Sequence, residues 1–399
     1  MAPPARLPEV QLDDDRVSRG PWLYARRIRS VSEDVVDGDL VEVLDASGRF
    51  IGHGLFNGRS DIALRMISRG RKTAVDRLDE FLLGKLKRAD SLRRRTLRLD
   101  RVTDAYRVVH GEGDGLPGLI VDRLGATLVV EHHALGFWQL RGALEAALRQ
   151  LYPGLDVTHR IPSSARRAEG FDREDLDEAD AIEEAAPEAE VVEHGVRHPI
   201  RPGAGHKTGF FCDQRDNRRR VAELAGDRTV LDLCCNTGGF ALHAAQAGAR
   251  RVTGVDLDEQ VLERAVAAAK LNGAQVEWHH IDAFRYLRGA REAEQFNQLV
   301  ILDPPKLAAG RREVDQALLK YGDLNALALG VVAHGGLLAT YSCSGAVDLP
   351  TFLGMVFQSA RRAEREVRLL EVHGAGPDHP QDPDFPRSRY LKGALLAVD

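Results

Sequence analysis

Two short segments carry residue types that could perform a reaction. Asp303-Pro-Pro-Lys306 presents one carboxylate on a stiff chain, because each proline fixes its own φ and narrows the residue before it. Thr340-Tyr-Ser-Cys343-Ser-Gly345 presents a lone thiol in a polar, glycine-ended turn. A lone cysteine is most often a buried apolar residue, and Asp-Pro-Pro can be no more than the end of a strand. The serines and glycine around Cys343 read as a turn and not a core, so a nucleophilic thiolate is predicted. Carbon 5 of a pyrimidine is too weak a nucleophile to attack a methyl sulfonium. A thiolate added at carbon 6 makes an enamine whose carbon 5 can attack. Asp303, hydrogen-bonded to the N3/N4 edge of the base, would stabilise the charged adduct. The base must leave its stack or be unpaired already.

A methyl donor needs a site of its own. The loop Val230-Leu-Asp-Leu-Cys-Cys-Asn-Thr-Gly-Gly-Phe240 carries late glycines, and Asp232, Asp256 and Asp282 stand at or near the ends of successive strand-like runs. A carboxylate after the second strand accepts hydrogen bonds from ribose hydroxyls. A dinucleotide would require G-x-G-x-x-G to seat its pyrophosphate at a helix N-terminus. The loop lacks the first glycine of that pattern, whereas S-adenosylmethionine has no phosphate to seat. The expected cofactor contacts are Asp232, Asn236, Thr237, Gly238, Asp256 with Leu257, Asp282 with Ala283, and Asp303 with Pro304. Cys234 and Cys235 read as small packing residues. No cysteine pair has CxxC spacing, so a structural zinc site is not expected.

Positioning these groups requires a sheet. From about residue 200 strands alternate with helices: 229–233, 251–256, 276–281, 298–303 and 336–341 read as strands, and 260–271 as a helix stopped by Asn272-Gly273. The pattern predicts an α/β doubly wound parallel sheet, whose ligands bind beyond the carboxyl ends of its strands. Runs at 367–373 and 390–398 add two strands. Residues 1–82 read as short strands and turns forming a small β-barrel. Arg26, Arg27, Arg29, Arg59, Arg65, Arg69 and Arg71, beside Trp22 and Tyr24, make it an RNA-binding candidate, against the plainer reading of a solvated surface. Residues 83–198 read as a small α+β domain. A helical stretch over 74–87 links the barrel to it, and it includes strands over 98–109 and 118–132, a glycine-rich joint at 111–118 and a helix over 137–151. The third domain is 199–399.

The length of 399 residues fits two or three domains. A hydrophobic fraction of 43% with 29% charged residues describes a soluble globular chain. No apolar run is long enough to cross a membrane, and Met1 to Arg6 lack the core of a secretory signal, so a cytoplasmic protein is expected. The formal charge of −5 is uneven: Arg166 to Glu193 holds twelve acidic and three basic residues, a net of −9, leaving +4 for the rest. That stretch is expected to be a solvated hairpin or a disordered loop.

Together these segments resemble class I, S-adenosylmethionine-dependent 23S rRNA (cytosine-C5)-methyltransferases with an N-terminal PUA domain. Pro21-Trp-Leu-Tyr-Ala-Arg-Arg-Ile28 is similar to the opening of that PUA domain. Gly113-Asp-Gly-Leu-Pro-Gly-Leu-Ile-Val-Asp122 resembles the central domain's signature. Lys207-Thr-Gly-Phe-Phe-Cys-Asp-Gln-Arg-Asp-Asn-Arg218 resembles the segment that closes over the cofactor, which adds Phe210 and Asp213 to the expected contacts. The resemblance implies Cys343 as nucleophile, Asp303 as its partner, and a cytosine of 23S rRNA, free or in a pre-50S particle, as substrate. Lys306, Arg26, Arg27 and Arg65 are the expected RNA contacts, and a homodimer is an open option. Some RNA cytosine methyltransferases carry a second cysteine beside the Asp-Pro segment. Position 306 is lysine here, which leaves the group that removes the carbon 5 proton unassigned. The acidic stretch is longer than the family leads one to expect, and is predicted to point away from RNA. Exocyclic amine methyltransferases follow Asp/Asn-Pro-Pro with an aromatic residue, and Lys306 argues against that chemistry. The alternatives are an rRNA guanine N-methyltransferase, which shares the fold and the Asp-Pro-Pro segment, and a non-catalytic RNA-binding protein.

Overall fold

Short alternating runs build the N-terminal sheet of the computed structural model, which describes residues 7–15, 19–70, 72–203, 207–308 and 310–399. Met1 to Arg6 and Arg71 lie outside the described residues. The strands are β1 (Glu9–Leu12), β2 (Trp22–Leu23), β3 (Ile28–Val31), β4 (Leu40–Leu44), β5 (Phe50–Phe56) and β6 (Leu64–Arg69). They pair in the order β2-β6-β5-β4-β1-β3. All neighbours run antiparallel except β1 and β4. The last of these strands starts at Leu64. Val10, Leu12, Val41, Val43, Leu64 and Met66 fill its core.

The chain forms two compact units. The first comprises 1–191, 200–211 and 377–388; the second comprises 192–199, 212–376 and 389–399. In the first, helix Leu78–Ser91 lies beside a second sheet of β7 (Ala105–His110), β8 (Leu119–Leu124), β9 (Thr127–His132) and β10 (Asp156–Arg160), in the order β10-β9-β8-β7. The run 118–132, expected as one strand, is a hairpin whose turn contains Gly125 at φ 62°. The start of the run 98–109 is a 3-10 turn, Leu99–Arg101, and not strand. Helices Leu135–Gln139 and Arg141–Leu151 replace the single predicted helix.

The acidic stretch corrects the sequence reading most clearly. Its middle is a helix, Arg173–Glu184, whose N-cap Asp172 accepts the N–H of Asp175 at 2.9 Å. Leu176 and Ala179, three residues apart, lay one face against Trp138, Ile161 and Phe171. The Trp138 indole donates to Asp175 at 2.6 Å. A few apolar positions at helical spacing thus override a polar composition. The stretch ends in β11 (Ala189–Glu193), which pairs with β12 (Val196–Ile200).

The second unit carries the predicted parallel sheet. Its strands are β13 (Thr229–Leu233), β14 (Arg251–Asp256), β15 (Glu277–His280), β16 (Asn297–Leu302), β17 (Val332–Ser342), β18 (Val367–Gly374) and β19 (Lys392–Val398). Their order is β15-β14-β13-β16-β17-β19-β18. The first five run parallel, and β19 enters antiparallel between β17 and β18. Strand order reverses between β13 and β16, which is where such sheets open a ligand crevice. Leu231, Leu233, Val300, Leu302 and Leu338 are fully buried on one face, each contributing about 1.5–3 kcal/mol. Helix Glu259–Asn272 ends on Gly273 at φ 62°, as its Asn-Gly stop requires.

Candidate active site

The glycine loop leaves β13 through three left-handed residues: Cys234 (φ 57°), Asn236 (φ 49°) and Gly238 (φ 78°). Left-handed geometry costs a non-glycine residue about 1–2 kcal/mol, so the path is held from outside. The Cys235 N–H donates to Val255 O at 3.1 Å. The Asn236 N–H donates to Asp256 Oδ2 at 2.8 Å. Asp256 Oδ1 accepts the Asp258 N–H at 3.0 Å. A carboxylate has about four acceptor positions, so two remain for ribose hydroxyls. Leu257, beside it, is 65% exposed. Asp282 caps helix Ala283–Glu292 through the Arg285 N–H at 3.0 Å.

Asp232 is fully buried, and its Oδ2 accepts the Ala241 N–H at 3.0 Å. It thereby anchors the helix Gly239–Gln246 under the loop. Its Oδ1 has no hydrogen-bond partner among the described residues. Burial pushes its carboxyl well up, helped by the nearby Asp303 and Asp256 charges. Burial also pushes up the thiols of Cys234 and Cys235, which suits packing residues and not nucleophiles.

Trp278 of β15 was not singled out in the sequence, yet it shapes this loop. A Cβ at Gly238 would lie 2.5 Å from its ring, and one at Gly254 would lie 2.3 Å away. Both glycines therefore make room for the indole, a need distinct from backbone approach to a ligand. A Cβ at Gly239 would lie 3.0 Å from Arg218 Cδ. The Arg218 guanidinium forks onto buried Glu193 at 2.7 and 2.8 Å. His198 stacks on His243 nearby, and the two rings with Glu193 form a tight buried group. Arg218 already occupies both Glu193 oxygens and compensates the charge. Burial holds His198 at about 3 and His243 at about 4, so both rings are neutral.

Asp303 continues β16, its N–H donating to Leu233 O at 3.3 Å. Its Oδ2 accepts the Gln214 Nε2–H at 2.9 Å, while Gln214 Oε1 accepts from Asn217 at 2.6 Å. Gln214 lies inside the Lys207–Arg218 segment but has no local signal of this contact. Asp213, also in that segment, accepts the Tyr390 hydroxyl at 2.6 Å and, through its carbonyl, the Gly376 N–H at 3.0 Å. Phe210 is buried in the first unit. Pro304 is buried and Lys306 exposed.

Cys343 follows β17, half-buried, one strand from Asp303. The two loops are pinned together. Ser344 Oγ accepts the Ala308 N–H at 3.1 Å and shares a hydrogen bond with the Tyr321 hydroxyl at 2.9 Å. The same hydroxyl accepts the Leu307 N–H at 3.3 Å. Lys392 completes the site from the inserted strand. Antiparallel register places it opposite Ser342. Lys392 is 3% exposed, and its amine donates to Ser344 O at 2.5 Å and Tyr390 O at 3.0 Å. Burial lowers it to about 8, opposed by the neighbouring Cys343 and Asp348. The site therefore pairs a thiol with a buried amine on one side of Asp303.

The arginines expected to meet RNA divide. Arg26 is exposed. Arg27 pairs with Asp13 and Asp14, each at 3.1 Å. Arg65 is 6% exposed and pairs with buried Glu169 at 2.6 Å. Alternation along β6 puts Arg65 on the face opposite Leu64 and Met66, and Glu169 and its neighbours cover that face, which the strand's own sequence does not signal.

This geometry has relatives. Residues 14–69 match a PUA-like domain, and 172–392 match the S-adenosylmethionine-dependent methyltransferase family. Two solved structures share the fold. One, assigned as a SAM-dependent methyltransferase from Streptococcus mutans, has a TM-score of 0.79 at 21% identity, covering 98% of this chain and 100% of that one. The other, a methyltransferase complexed with SAH, has a TM-score of 0.78 at 21% identity, covering 95% and 96%. The fold and the cofactor loop define a class I methyltransferase that uses S-adenosylmethionine and carries a PUA-like domain. Ribosomal RNA large subunit methyltransferase I of Aeromonas salmonicida is 35% identical over 383 residues, 95% of each chain. The protein of that name from Photobacterium profundum is 35% identical over 387 residues, 95% of this chain and 96% of its own. The chain belongs to the ribosomal RNA large subunit methyltransferase I family. No helix among the described residues is long and apolar enough to cross a membrane.

Proposed function

We propose that the enzyme methylates carbon 5 of a cytosine in large-subunit (23S) rRNA, with Cys343 as covalent nucleophile. The observation that carries this reading is the juxtaposition at the ends of β16 and β17. A part-exposed thiol with a buried amine behind it stands one strand from a carboxylate that Gln214 holds in place. The names of the relatives support the substrate class.

S-adenosylmethionine supplies an electrophilic methyl on a sulfonium. Asp256 with Leu257, the turn through Asn236, Thr237 and Gly238, and Asp282 with Ala283 are assigned to its adenosine. Asp232, Asp213 and Pro304 are assigned to shaping the rest of its site. The Cys343 thiolate adds to carbon 6 of the base. Asp303 holds the N3/N4 edge and stabilises the adduct. Carbon 5 takes the methyl, then loses its proton, and the C6–S bond breaks to return the thiolate. The products are 5-methylcytosine, the demethylated cofactor and one proton. Lys392 is assigned as a positioning residue whose charge favours the thiolate. Lys306 and Arg26 are assigned to RNA.

Trapping on RNA containing 5-fluorocytosine tests the chemistry, because fluorine cannot leave as a proton does. A covalent complex is expected with the native enzyme and none with Cys343→Ala. Full activity of Cys343→Ala would reject the carbon 5 route and leave guanine N-methylation in its place. Mass mapping of methylated nucleotides in rRNA from cells lacking the protein identifies the target base. Assays on free 23S rRNA and on pre-50S particles identify the form of the substrate.

A further inference from the structure

The central signature, Gly113 to Asp122, takes no part in the methyl transfer derived above, yet it is built with unusual rigidity. Asp114 receives a two-pronged contact from buried Arg93, at 2.7 and 2.7 Å, and also accepts the His110 N–H at 2.6 Å. Gly111, Gly115 and Gly118 all have positive φ, at 42°, 69° and 91°. A Cβ at Gly113 would lie 2.0 Å from Pro380 O. The loop thus has one path, and that path forms a wall.

The wall faces a cleft of about 670 Å³ within the first unit, lined among others by Trp22, Tyr24, Arg59, Arg65, Arg167 and Arg387. This volume lies within the range of pockets that take nucleotide-sized ligands. The floor is already neutral. Arg65 pairs with Glu169, which also accepts from Ser60 at 2.8 Å and from Asn57 and the Leu135 N–H at 3.2 Å. Glu112 of the wall accepts the Trp22 indole N–H at 2.8 Å, which fixes the ring. Arg59 is held by Asp37 at 2.9 Å. The rim differs. Arg167 and Arg387 are exposed and have no acidic partner among the described residues, and Arg387 lies 5.8 Å above the Trp22 ring. The Tyr24 ring is half-buried beside them. Asp61 is the one lining carboxylate besides Glu112 and Glu169 among the described residues.

Guanidinium groups without acidic partners, beside the Trp22 ring that Glu112 fixes and the Tyr24 ring, suit one chemistry. Single-stranded RNA presents phosphates to the former and unstacked bases to the latter. We propose that this cleft binds a single-stranded segment of the substrate RNA, with Arg167 and Arg387 on its phosphates and Tyr24 stacked on a base. The proposal rests on the RNA reading above, but not on the Cys343 chemistry.

The test is fluorescence anisotropy with a fluorescein-labelled single-stranded RNA of about 15 nucleotides, at several salt concentrations. Arg167→Ala with Arg387→Ala is expected to weaken binding about tenfold or more. It is also expected to flatten the salt dependence by one to two units, since each phosphate contact on a single strand contributes about 0.7. Tyr24→Ala is expected to weaken binding several-fold without changing that slope. Cofactor affinity by calorimetry should stay at the native value in all three changes, which reports an intact fold. Native RNA affinity and salt slope in the double variant would overturn the cleft. Absence of RNA binding by the native protein would overturn the RNA reading itself. The 5-fluorocytosine trap stands apart, because it reads Cys343 alone.

Discussion

A thiol is a better nucleophile when a cation lies beside it, and Lys392 supplies that cation from a place water does not reach. Its hydrogen bonds to Ser344 O and Tyr390 O hold the amine against the turn that carries Cys343. Asp348 and Tyr321 also interact with this pair. The sign of the pH dependence follows. Lys392 carries its charge below about 8 and loses it above, so its support for the thiolate is present below that pH and fades above it. Iodoacetamide labelling of Cys343, followed across pH by mass spectrometry, reads this directly. Lys392→Met is expected to move the labelling midpoint upward by about one unit or more, and Lys392→Arg to restore part of the shift. An unchanged midpoint in Lys392→Met would show that the amine serves the turn and not the thiol.

Elements act by making room. Gly254 sits in β14 because the Trp278 ring occupies the space where a side chain would begin, 2.3 Å from its Cβ position. Gly254→Ala is therefore expected to destabilise the protein by about 1–3 kcal/mol and to weaken S-adenosylmethionine binding, because the displaced indole abuts the Gly238 turn. Thermal melts and calorimetry check both. The helix Arg173–Glu184 offers the contrary case. Asp172→Ala removes its N-cap and is expected to cost about 1 kcal/mol, with methyl transfer unchanged. A loss of activity there would give the acidic helix a role in the reaction.

At the scale of the whole molecule, a straight cut at residue 198 does not follow the physical units. Residues 192–199 belong to the second unit and 377–388 to the first. A fragment of 199–399 would lose Glu193, the carboxylate onto which the Arg218 guanidinium, 4% exposed, forks. Breaking a buried pair from one side costs about 3–5 kcal/mol. A fragment of 1–198 would lose Asp378, which receives the Arg107 N–H at 2.9 Å and, on its carbonyl, Arg93 at 2.6 Å. Neither fragment is expected to show a cooperative melt by circular dichroism. A sharp transition in either one would show that these pairs are dispensable.

What the sequence by itself determined is local. The alternation of strands and helices, the Asn-Gly helix stop, the glycine loop and the Asp-Pro-Pro turn are each written in consecutive residues, because backbone period and φ demands act over a few positions. The same locality exposed Asp303 and Cys343 as groups in turns. Contacts between distant segments left no such trace. Lys392 reaches Cys343 only because β19 enters the sheet antiparallel, opposite β17. Gln214 finds Asp303 across 89 positions, and Arg65 finds Glu169 across 104. Chain folding decided which charges stayed at the surface, and it covered Arg65 with Glu169 while leaving Arg167 and Arg387 at the rim of a cleft. Burial sets whether a charge is compensated or free to meet a ligand, and burial belongs to the tertiary structure alone.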